Sequence, residues 1–200
     1  MHETSFTEIM ITFHKVGKEY QGIKGSTKAL SNISLQIKKG EFISIIGPSG
    51  CGKSTLLKIC AGLIKPTEGK VLFHNNNKKG IVFQDHTLLP WRTVKENISL
   101  PLELSKKKED IKHALKLVGL EGFAEAYPHE LSGGMKQKAA IARALILNPE
   151  IVLMDEPFGS IDEFMRHQLN QDLLKIWKKQ KCAILFITHS ISEAVFLSDR

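Results

Sequence analysis

The sequence predicts an α/β fold built around an open parallel sheet. Three apolar runs, at 42–46 (interrupted only by Ser44), 151–154 and 183–187, have the length and composition of strands that are buried on both faces. Each run stops at a glycine or at polar residues, and the first two are followed by segments whose apolar residues recur at helical spacing. Strands of this kind position a ligand site outside their carboxyl ends.

The first half of the chain is predicted to begin with an antiparallel layer. Residues 9–16 and 30–37 partly alternate apolar and polar side chains, which is typical of strands with one buried face. Residues 53–63 favour a helix, whose apolar side is formed by Leu56, Leu57, Ile59, Cys60 and Leu63. Pro66 ends this helical pattern, and residues 71–73 resume a strand.

The second half is predicted to contain helices on either side of the second buried strand. Residues 86–148 are predicted to be mainly helical, and their clearest apolar stripe is formed by Ile111, Leu115 and Val118. Residues 162–180 favour one further helix, with Leu169, Leu173 and Trp177 on one stripe. The third buried strand follows this helix and ends at Thr188 and His189.

The length and composition predict one globular domain over residues 1–200. We expect a core and antiparallel layer from residues 1–85 and 149–200, and a helical subdomain at about 86–148. With 42% hydrophobic and 24% charged residues, the chain is expected to be a soluble protein. No run approaches the ~18 consecutive apolar residues of a membrane-spanning helix, so a membrane role would require another chain to cross the bilayer.

The charge and the cysteines exclude some classes of site. The formal net charge of +7 would suit a nucleotide, nucleic acid or an anionic membrane surface. Because the sequence has no basic stripe with interleaved aromatic residues, it argues against a nucleic-acid partner. Cys51, Cys60 and Cys182 form no CxxC pair and no metal-ligand spacing, which is typical of unpaired thiols in a reducing compartment.

A phosphate-binding loop is predicted where the first buried strand ends. Residues 47–54 read Gly-Pro-Ser-Gly-Cys-Gly-Lys-Ser and match the pattern G-x-x-x-x-G-K-[ST] between a strand and a helix. The glycines allow backbone N–H groups to face phosphate oxygens, and the following helix adds a positive field. Lys53 would supply a cation to the β- and γ-phosphates, and Ser54 a hydroxyl ligand to Mg²⁺. The candidate nucleotide-binding residues are Gly47, Pro48, Ser49, Gly50, Cys51, Gly52, Lys53, Ser54 and Thr55.

The second buried strand ends on two acids, Asp155 and Glu156. Asp155 would reach the outer sphere of the metal ion. Glu156 could orient a water molecule and accept its proton, which contributes about 10²–10⁴-fold to a rate. An apolar strand that ends in Asp-Glu is common by itself, but together with the phosphate loop it predicts a hydrolase site.

Residues 131–137, Leu-Ser-Gly-Gly-Met-Lys-Gln, predict another anion-binding helix start. Local chemistry gives a helix N-terminus with a serine cap and two flexible glycines. The segment resembles the LSGGQ signature of ABC ATPases, which P-loop GTPases and kinases lack. The phosphate loop, this signature, the Asp155-Glu156 pair and His189 also follow the order and spacing of that family, and the resemblance covers essentially the whole chain.

The resemblance implies a P-loop NTPase (RecA-like) core sheet with an antiparallel β subdomain and an inserted α-helical signature subdomain. It implies an ATP hydrolase that uses ATP and Mg²⁺ and works as a head-to-tail dimer with a second copy of the chain. In such a dimer Ser132, Gly133 and Gly134 would contact the γ-phosphate bound by the partner copy. Asp162 matches the aspartate at the dimer seam.

The resemblance also implies roles for single residues around the nucleotide. Gln84 matches the glutamine that approaches Mg²⁺ and senses the permease, so the implied metal set is Ser54, Gln84 and Asp155. His189 matches the switch histidine that contacts the γ-phosphate, with a simple capping histidine as the alternative; Glu156, His189 and Gln84 form the implied catalytic set. Tyr20 stands where the family has an aromatic ring that stacks on adenine, although a tyrosine before a loop often only packs.

Residues 88–91, Leu-Leu-Pro-Trp, could belong to the core, but they resemble the family's docking groove for a coupling helix of an integral membrane permease. Phe158-Gly159 and residues 193–200 are similar to the nitrate, sulfonate and taurine importer branch. We therefore expect an ATP-driven motor for import of such a small anion, peripheral at the cytoplasmic face of the cell membrane. It would serve a substrate-binding protein indirectly.

The chain departs from the family pattern in three respects. Ser160-Ile161-Asp162 replaces Ala-Leu-Asp, and Ser190 stands where an aspartate usually follows the switch histidine. Members of the family continue beyond the position of Arg200 with another core strand and a C-terminal segment, so we expect the C-terminal end of the fold to be truncated. Two alternatives stay open: a non-transport ABC ATPase that acts on DNA or ribosomes, and a nucleotide-binding subunit with little hydrolysis.

Overall fold

Two sheets organise the fold. The computed structural model describes residues 8–23, 25–74, 78–107 and 110–200. Within these residues the strands are β1 (Ile9–Gly22), β2 (Gly25–Lys38), β3 (Phe42–Ile46), β4 (Glu68–Phe73), β5 (Lys79–Val82), β6 (Ile151–Asp155) and β7 (Ala183–Thr188). The α-helices are α1 (Lys53–Ala61), α2 (Val94–Ser105), α3 (Ile111–Val118), α4 (Gly133–Leu145), α5 (Glu163–Gln180) and α6 (Ile191–Leu197).

The central sheet is parallel and has the strand order β3-β7-β6-β5. Ile46 at the end of β3 lies opposite Thr188, and Asp155 at the end of β6 lies opposite Ile187. The carboxyl ends of β3, β6 and β7 therefore meet at one edge, and the loops that follow them start side by side. The α/β fold predicted from the sequence is confirmed.

The second sheet is antiparallel, with the order β2-β1-β4. Its two long strands have 14 residues each and extend beyond the predicted segments 9–16 and 30–37. The reason is that the pairing of β1 with β2 continues past several register shifts, as far as Gly22 opposite Gly25. Bulges of this kind break the alternation of apolar residues, so periodicity alone stops too early.

Helices α2, α3 and α4 all lie between β5 and β6 in the chain. Apolar side chains of these helices and of α5 pack on one face of the central sheet, against Phe42, Val152, Met154, Ile184 and Phe186. The other face packs against α1 and the antiparallel sheet through Ile43, Ile151, Leu153, Leu185 and Ile187. Burial on both faces is what the continuous apolar strands predict. In the part of the chain that the structure describes, no helix is both long and apolar enough to cross a bilayer.

One local prediction is corrected, and one strand was missed. Leu63 was expected on the apolar side of α1, but the helix ends at Ala61 and Leu63 is 57% exposed. Gly62 adopts a φ of 79° at the C-cap and turns the chain away before Leu63 is reached. Strand β5 was not predicted, because its four residues begin with lysine and glycine and only its pairing with β6 makes it a strand.

Candidate active site

The loop after β3 is shaped by glycines that lie in the left-handed region. Gly50 has a φ of 80° and Gly52 a φ of 99°. A Cβ atom on Gly52 would lie 2.2 Å from the carbonyl oxygen of Ala29, so no other residue fits there. Gly52 is also the N-cap of α1 and provides no side-chain cap, which leaves the first-turn N–H groups of α1 to a ligand.

Lys53 provides the buried cation of the site, with its side chain only 5% exposed. Its ammonium group donates hydrogen bonds to the carbonyl oxygens of Gly47 at 2.8 Å and Pro48 at 3.0 Å. The same nitrogen lies 3.4 Å from Glu156 Oε1. Lys53 therefore joins the loop after β3 to the acid that follows β6. Cys51, a further predicted loop residue, is exposed with a free thiol.

Asp155 faces the start of α1 from the end of β6. The Ser54 hydroxyl donates to Asp155 Oδ1 at 2.9 Å, across 101 residues of sequence. Burial raises the pKa of the Asp155 carboxyl, the hydrogen bond from Ser54 opposes this, and the neighbouring Glu156 charge raises it further. Oxygen ligands from both residues thus lie together, as expected for a hard divalent cation.

Glu156 lies between two basic side chains. Its Oε1 faces Lys53, and its Oε2 lies 3.0 Å from His189 Nδ1. Because a carboxylate only accepts, the His189 Nδ1–H is the donor in this contact. Glu156 also has a φ of 43°, a left-handed conformation that costs a non-glycine residue about 1–2 kcal/mol. Such strain is typical of functional positions.

These groups open on one cavity of about 330 Å³. Its lining residues are Ala29, Ser49, Gly50, Gly52, Lys53, Ser54, Thr55, Gln84 and Glu156. Asp155 and His189 border the cavity through their hydrogen bonds to Ser54 and Glu156. The structure therefore brings together the phosphate loop, Gln84, the two acids and the histidine. Ala29 is a cavity residue that the sequence did not indicate, because nothing in a strand segment marks it.

Tyr20 lies near the end of β1, beside the start of α1. Its hydroxyl is 3.5 Å from Thr55 Oγ1, and the residue is 42% exposed. The Lys18 ammonium lies 5.3 Å from the ring centroid. The ring is thus close to the cavity, and its stacking on adenine stays a prediction.

The signature residues do not line the phosphate cavity of their own chain. Ser132 is the N-cap of α4 and accepts a hydrogen bond from Met135 N at 3.3 Å. Ser132 and Gly134 line a different cavity, of about 260 Å³, together with Met165. Asp162 caps α5 in the same way, accepting from Met165 N at 3.0 Å. A contact between the signature and a γ-phosphate would therefore need a second copy of the chain.

The segment after Gln84 is held by polar residues of α2 and α4, of which Asn97 is buried and Arg143 is partly buried. The Arg143 guanidinium donates to the carbonyl oxygens of His86 at 3.0 Å and Thr87 at 2.8 Å. Asn97, with 0% exposure, accepts from Leu89 N and donates to the carbonyl oxygens of Leu89, Arg92 and Thr93. Sequence reasoning missed both residues; their only signal is a polar side chain on an otherwise apolar helix face.

These supports keep the residues after Gln84 in one arrangement. Leu88 packs against the main core, and Leu89 is partly buried. Trp91 is 71% exposed and stands out from the surface. The predicted apolar cluster is therefore divided between core contacts and one prominent exposed ring.

Comparisons with known proteins agree with this site. The sequence model of the family described as ABC transporter matches residues 30–159. An uncharacterized ABC transporter ATP-binding protein of Methanocaldococcus jannaschii is 54% identical over 184 residues, covering 86% of this chain and 69% of that protein. The aliphatic sulfonates import ATP-binding protein SsuB of Bacillus cereus is 46% identical over 198 residues, covering 95% and 79%.

Solved structures agree as well. The dimeric structure of the bacterial ABC transporter cassette MJ0796 superimposes with a TM-score of 0.82 and 38% identity, covering 94% of this chain and 91% of that one. A post-hydrolysis structure of the same cassette, bound to ADP and Pi, has a TM-score of 0.82 and 37% identity over the same shares. The P-loop NTPase fold and the assignment as an ATP hydrolase are thereby confirmed. On its family match, its relatives and its fold, the chain belongs to the ABC transporter family.

Proposed function

We propose that this chain is the ATP-hydrolysing subunit of an importer for small sulfonate-type anions. The observation that carries the proposal is one cavity at the carboxyl ends of β3, β6 and β7. Lys53 and Glu156 line that cavity, Ser54 links it to Asp155, and His189 is bonded to Glu156. A cation, a metal-ligand pair and a base with its own partner are the groups that ATP hydrolysis requires.

The phosphates bind at the loop after β3. The uncapped start of α1 directs N–H groups and the positive end of the helix towards them. Lys53 already bonds to loop carbonyl oxygens, so its ammonium group is held beside the β- and γ-phosphates. Tyr20 stacks on the adenine from the end of β1.

Glu156 acts as the general base. Its carboxylate is 16% exposed and lies at the cavity wall, where it orients a water molecule towards the γ-phosphate and accepts its proton. His189 fixes one carboxylate oxygen through Nδ1 and contacts the γ-phosphate with the other side of its ring. Gln84 lines the same cavity and completes the catalytic set.

The residues present fit Mg²⁺. Ser54 Oγ and Asp155 Oδ1 lie 2.9 Å apart, with the Gln84 side chain at the same cavity. The described part of the chain has no cluster of three acidic, histidine or cysteine side chains that would form an all-protein metal site. This agrees with Mg²⁺, which usually binds one or two carboxylates together with substrate phosphates. When bound, the ion would neutralise charge on the β- and γ-phosphates.

The active unit is a pair of chains arranged head to tail. Ser132, Gly133 and Gly134 lie at the start of α4, away from the cavity of their own chain. In the pair they contact the γ-phosphate held by the partner copy, and Asp162 lies at the seam. The solved cassette with a TM-score of 0.82 is dimeric, which supports this arrangement.

The pair is peripheral at the cytoplasmic face of a membrane and drives an integral permease. Trp91 and the neighbouring leucines form the docking surface for a coupling helix of that permease. The sulfonate class is supported by relatives named as aliphatic sulfonates import ATP-binding proteins, at 46% and 48% identity. A substrate-binding protein delivers the solute to the permease.

Phosphate release from Mg–ATP tests the hydrolytic part of the proposal. Glu156→Gln should retain ATP binding and lose about 10²-fold or more of the turnover, because the amide cannot accept the proton. Glu125→Gln, at a 77% exposed side chain, is the matched control and should behave like the parent. Turnover of Glu156→Gln within a few-fold of the parent would exclude Glu156 as the base.

Uptake into vesicles tests the transport part. The chain reconstituted with its permease and substrate-binding protein should import a labelled alkanesulfonate in an ATP-dependent way. Import of nitrate without sulfonate would correct the substrate class. ATP turnover without any transport in the complete assembly would favour a non-transport ATPase.

A further inference from the structure

We propose that Thr188 and Glu193 form a clamp that positions His189 against Glu156. The inference rests on the proposed function, in which His189 contacts the γ-phosphate. Thr188 and Glu193 do not line the phosphate cavity, so they act through His189 as positioning residues. The proposal adds Thr188 and Glu193, neither of which belongs to the implied catalytic or metal set, as determinants of turnover.

The turn after β7 is closed by a chain of three hydrogen bonds. The Thr188 hydroxyl donates to Glu193 Oε2 and accepts from Ser190 N at 3.0 Å. Ser190 Oγ in turn accepts from Glu193 N at 3.3 Å. His189 lies between Thr188 and Ser190, so both of its neighbours in the chain take part in this network.

The network is a capping box extended by one hydroxyl. Ser190 is the N-cap of α6 and Glu193 is its third helical residue. In an ordinary capping box the glutamate accepts directly from the N-cap N–H. Here the Thr188 hydroxyl stands between them, and Thr188 is the last residue of β7. These hydrogen bonds therefore connect α6 to the end of β7, and His189 is the residue between the two elements.

The clamp is buried whereas the ring that it positions is not. Thr188 is 2% and Glu193 6% exposed, while the His189 side chain is 48% exposed. Water does not compete for a buried hydrogen bond, so the backbone of the turn stays fixed while the imidazole faces the cavity edge. Without that restraint, an exposed ring on a short turn would sample other orientations.

Burying the Glu193 carboxylate at this position costs folding free energy. Its second oxygen, Oε1, is buried and has no hydrogen-bond partner among the described residues. A buried carboxylate with one unpartnered oxygen destabilises a fold, and an apolar side chain on this inner face of α6 would not. The hydrogen bond that the carboxylate accepts from the Thr188 hydroxyl is the contact that an apolar residue could not make.

The same strand also holds the partner of His189. Glu156 N donates to the carbonyl oxygen of Ile187 at 2.9 Å, one residue before Thr188. Both members of the Glu156–His189 pair are thus fixed to the end of β7, one through its backbone and the other through the clamp. The 3.0 Å contact between them depends on the clamp keeping its shape.

The first test compares Thr188→Val with Thr188→Ser in the full chain. Valine keeps the shape and removes the hydroxyl, while serine retains it. We expect Thr188→Val to lower kcat about 10-fold with an unchanged KM for ATP, because a displaced catalytic group slows the chemical step rather than binding. Thr188→Ser should keep most of the turnover. Equal turnover of all three proteins would overturn the clamp.

The second test is a double-mutant cycle with His189→Ala. If the clamp acts through His189, Thr188→Val should cause no further loss of kcat in the His189→Ala background. A purely structural role would give additive losses in kcat, and that result would refute positioning. Glu193→Ala opens the clamp from the other side and should show the same non-additivity, so the test does not depend on one variant folding.

The ring nitrogen signals of His189 in ¹⁵N NMR provide a readout that needs no turnover. In the parent and in Thr188→Ser, Nδ1 should give the shift of a nitrogen hydrogen-bonded to a carboxylate, and in Thr188→Val that signature should be lost. An unchanged signature in Thr188→Val would overturn the clamp. A parent without ATP turnover would contradict the proposed function, and this signal would then decide the positioning by itself.

Discussion

Replacing Trp91 by alanine should release the chain from membranes that contain its permease. Trp91 is 71% exposed, yet the segment around it is held by Asn97 and Arg143. An exposed aromatic ring on a fixed support is the arrangement expected of an anchor that fits a pocket on a partner. We therefore expect this ring to contribute more to docking than the partly buried Leu88 and Leu89.

The size of the effect follows from the exposed area. A tryptophan side chain buries about 150–250 Å² when fully enclosed, so the exposed fraction leaves about 110–180 Å² for a partner. At about 25 cal/mol per Å², this corresponds to about 3–4.5 kcal/mol at most. Because every 1.4 kcal/mol is about tenfold in Kd, Trp91→Ala should weaken docking by about 10²–10³-fold.

Co-sedimentation with permease-containing vesicles measures this docking directly. Leu104→Ala is the matched control, because Leu104 is 80% exposed on α2 but lies outside the docking surface. A high-salt wash separates apolar docking from attraction between the +7 chain and the bilayer, since exposed charges are screened beyond ~8 Å at physiological ionic strength. ATP binding by Trp91→Ala should match the parent.

Two results would contradict the docking assignment. If the salt wash strips the parent from the vesicles while Trp91→Ala sediments like the parent before the wash, charge rather than the ring holds the chain. Equal losses for Trp91→Ala and Leu104→Ala would also contradict a specific pocket for the ring.

Three further predictions concern the site and the fold. Lys53→Ala should weaken ATP binding about 10- to 100-fold, because a charge-assisted hydrogen bond contributes about 1.5–3 kcal/mol. An unchanged Kd for a fluorescent ATP analogue would mean that nucleotide binds elsewhere. Burial raises the pKa of the Asp155 carboxyl, so the folded chain keeps this proton to higher pH and the free energy of unfolding falls as pH rises between the unfolded and folded pKa values. Asp155→Asn should therefore raise the Tm near neutral pH without Mg²⁺ and match the parent at acid pH; a lower Tm at pH 7 would contradict this. Thr93→Ala removes the capping box of α2 and should lower the free energy of unfolding by about 1 kcal/mol. Calorimetry should then show a Tm about 2–4 °C below that of the parent. An unchanged Tm would show that the cap does not stabilise the fold.

The sequence identified the elements whose chemistry is local. The phosphate loop is one continuous stretch between a strand and a helix, and its glycines are the residues that can adopt a φ of 80° or 99°. Asp155 and Glu156 directly follow an apolar strand, and Ser132 directly caps a helix. Such signals are readable because neighbouring residues alone determine the backbone conformation that they require.

Only the tertiary structure decided what lies beside what. The strand order β3-β7-β6-β5 brings Ser54 against Asp155 and Glu156 against His189, and β5 exists as a strand only through its pairing. The carbonyl oxygen of Ala29 that excludes a side chain at Gly52 comes from the other sheet. The physical reason is that side-chain periodicity encodes which face of an element is buried, whereas packing between distant elements determines which neighbour covers it. The Thr188–Glu193 clamp belongs to this second level, because only the fold shows that Glu193 reaches past the N-cap Ser190 to the hydroxyl at the end of β7.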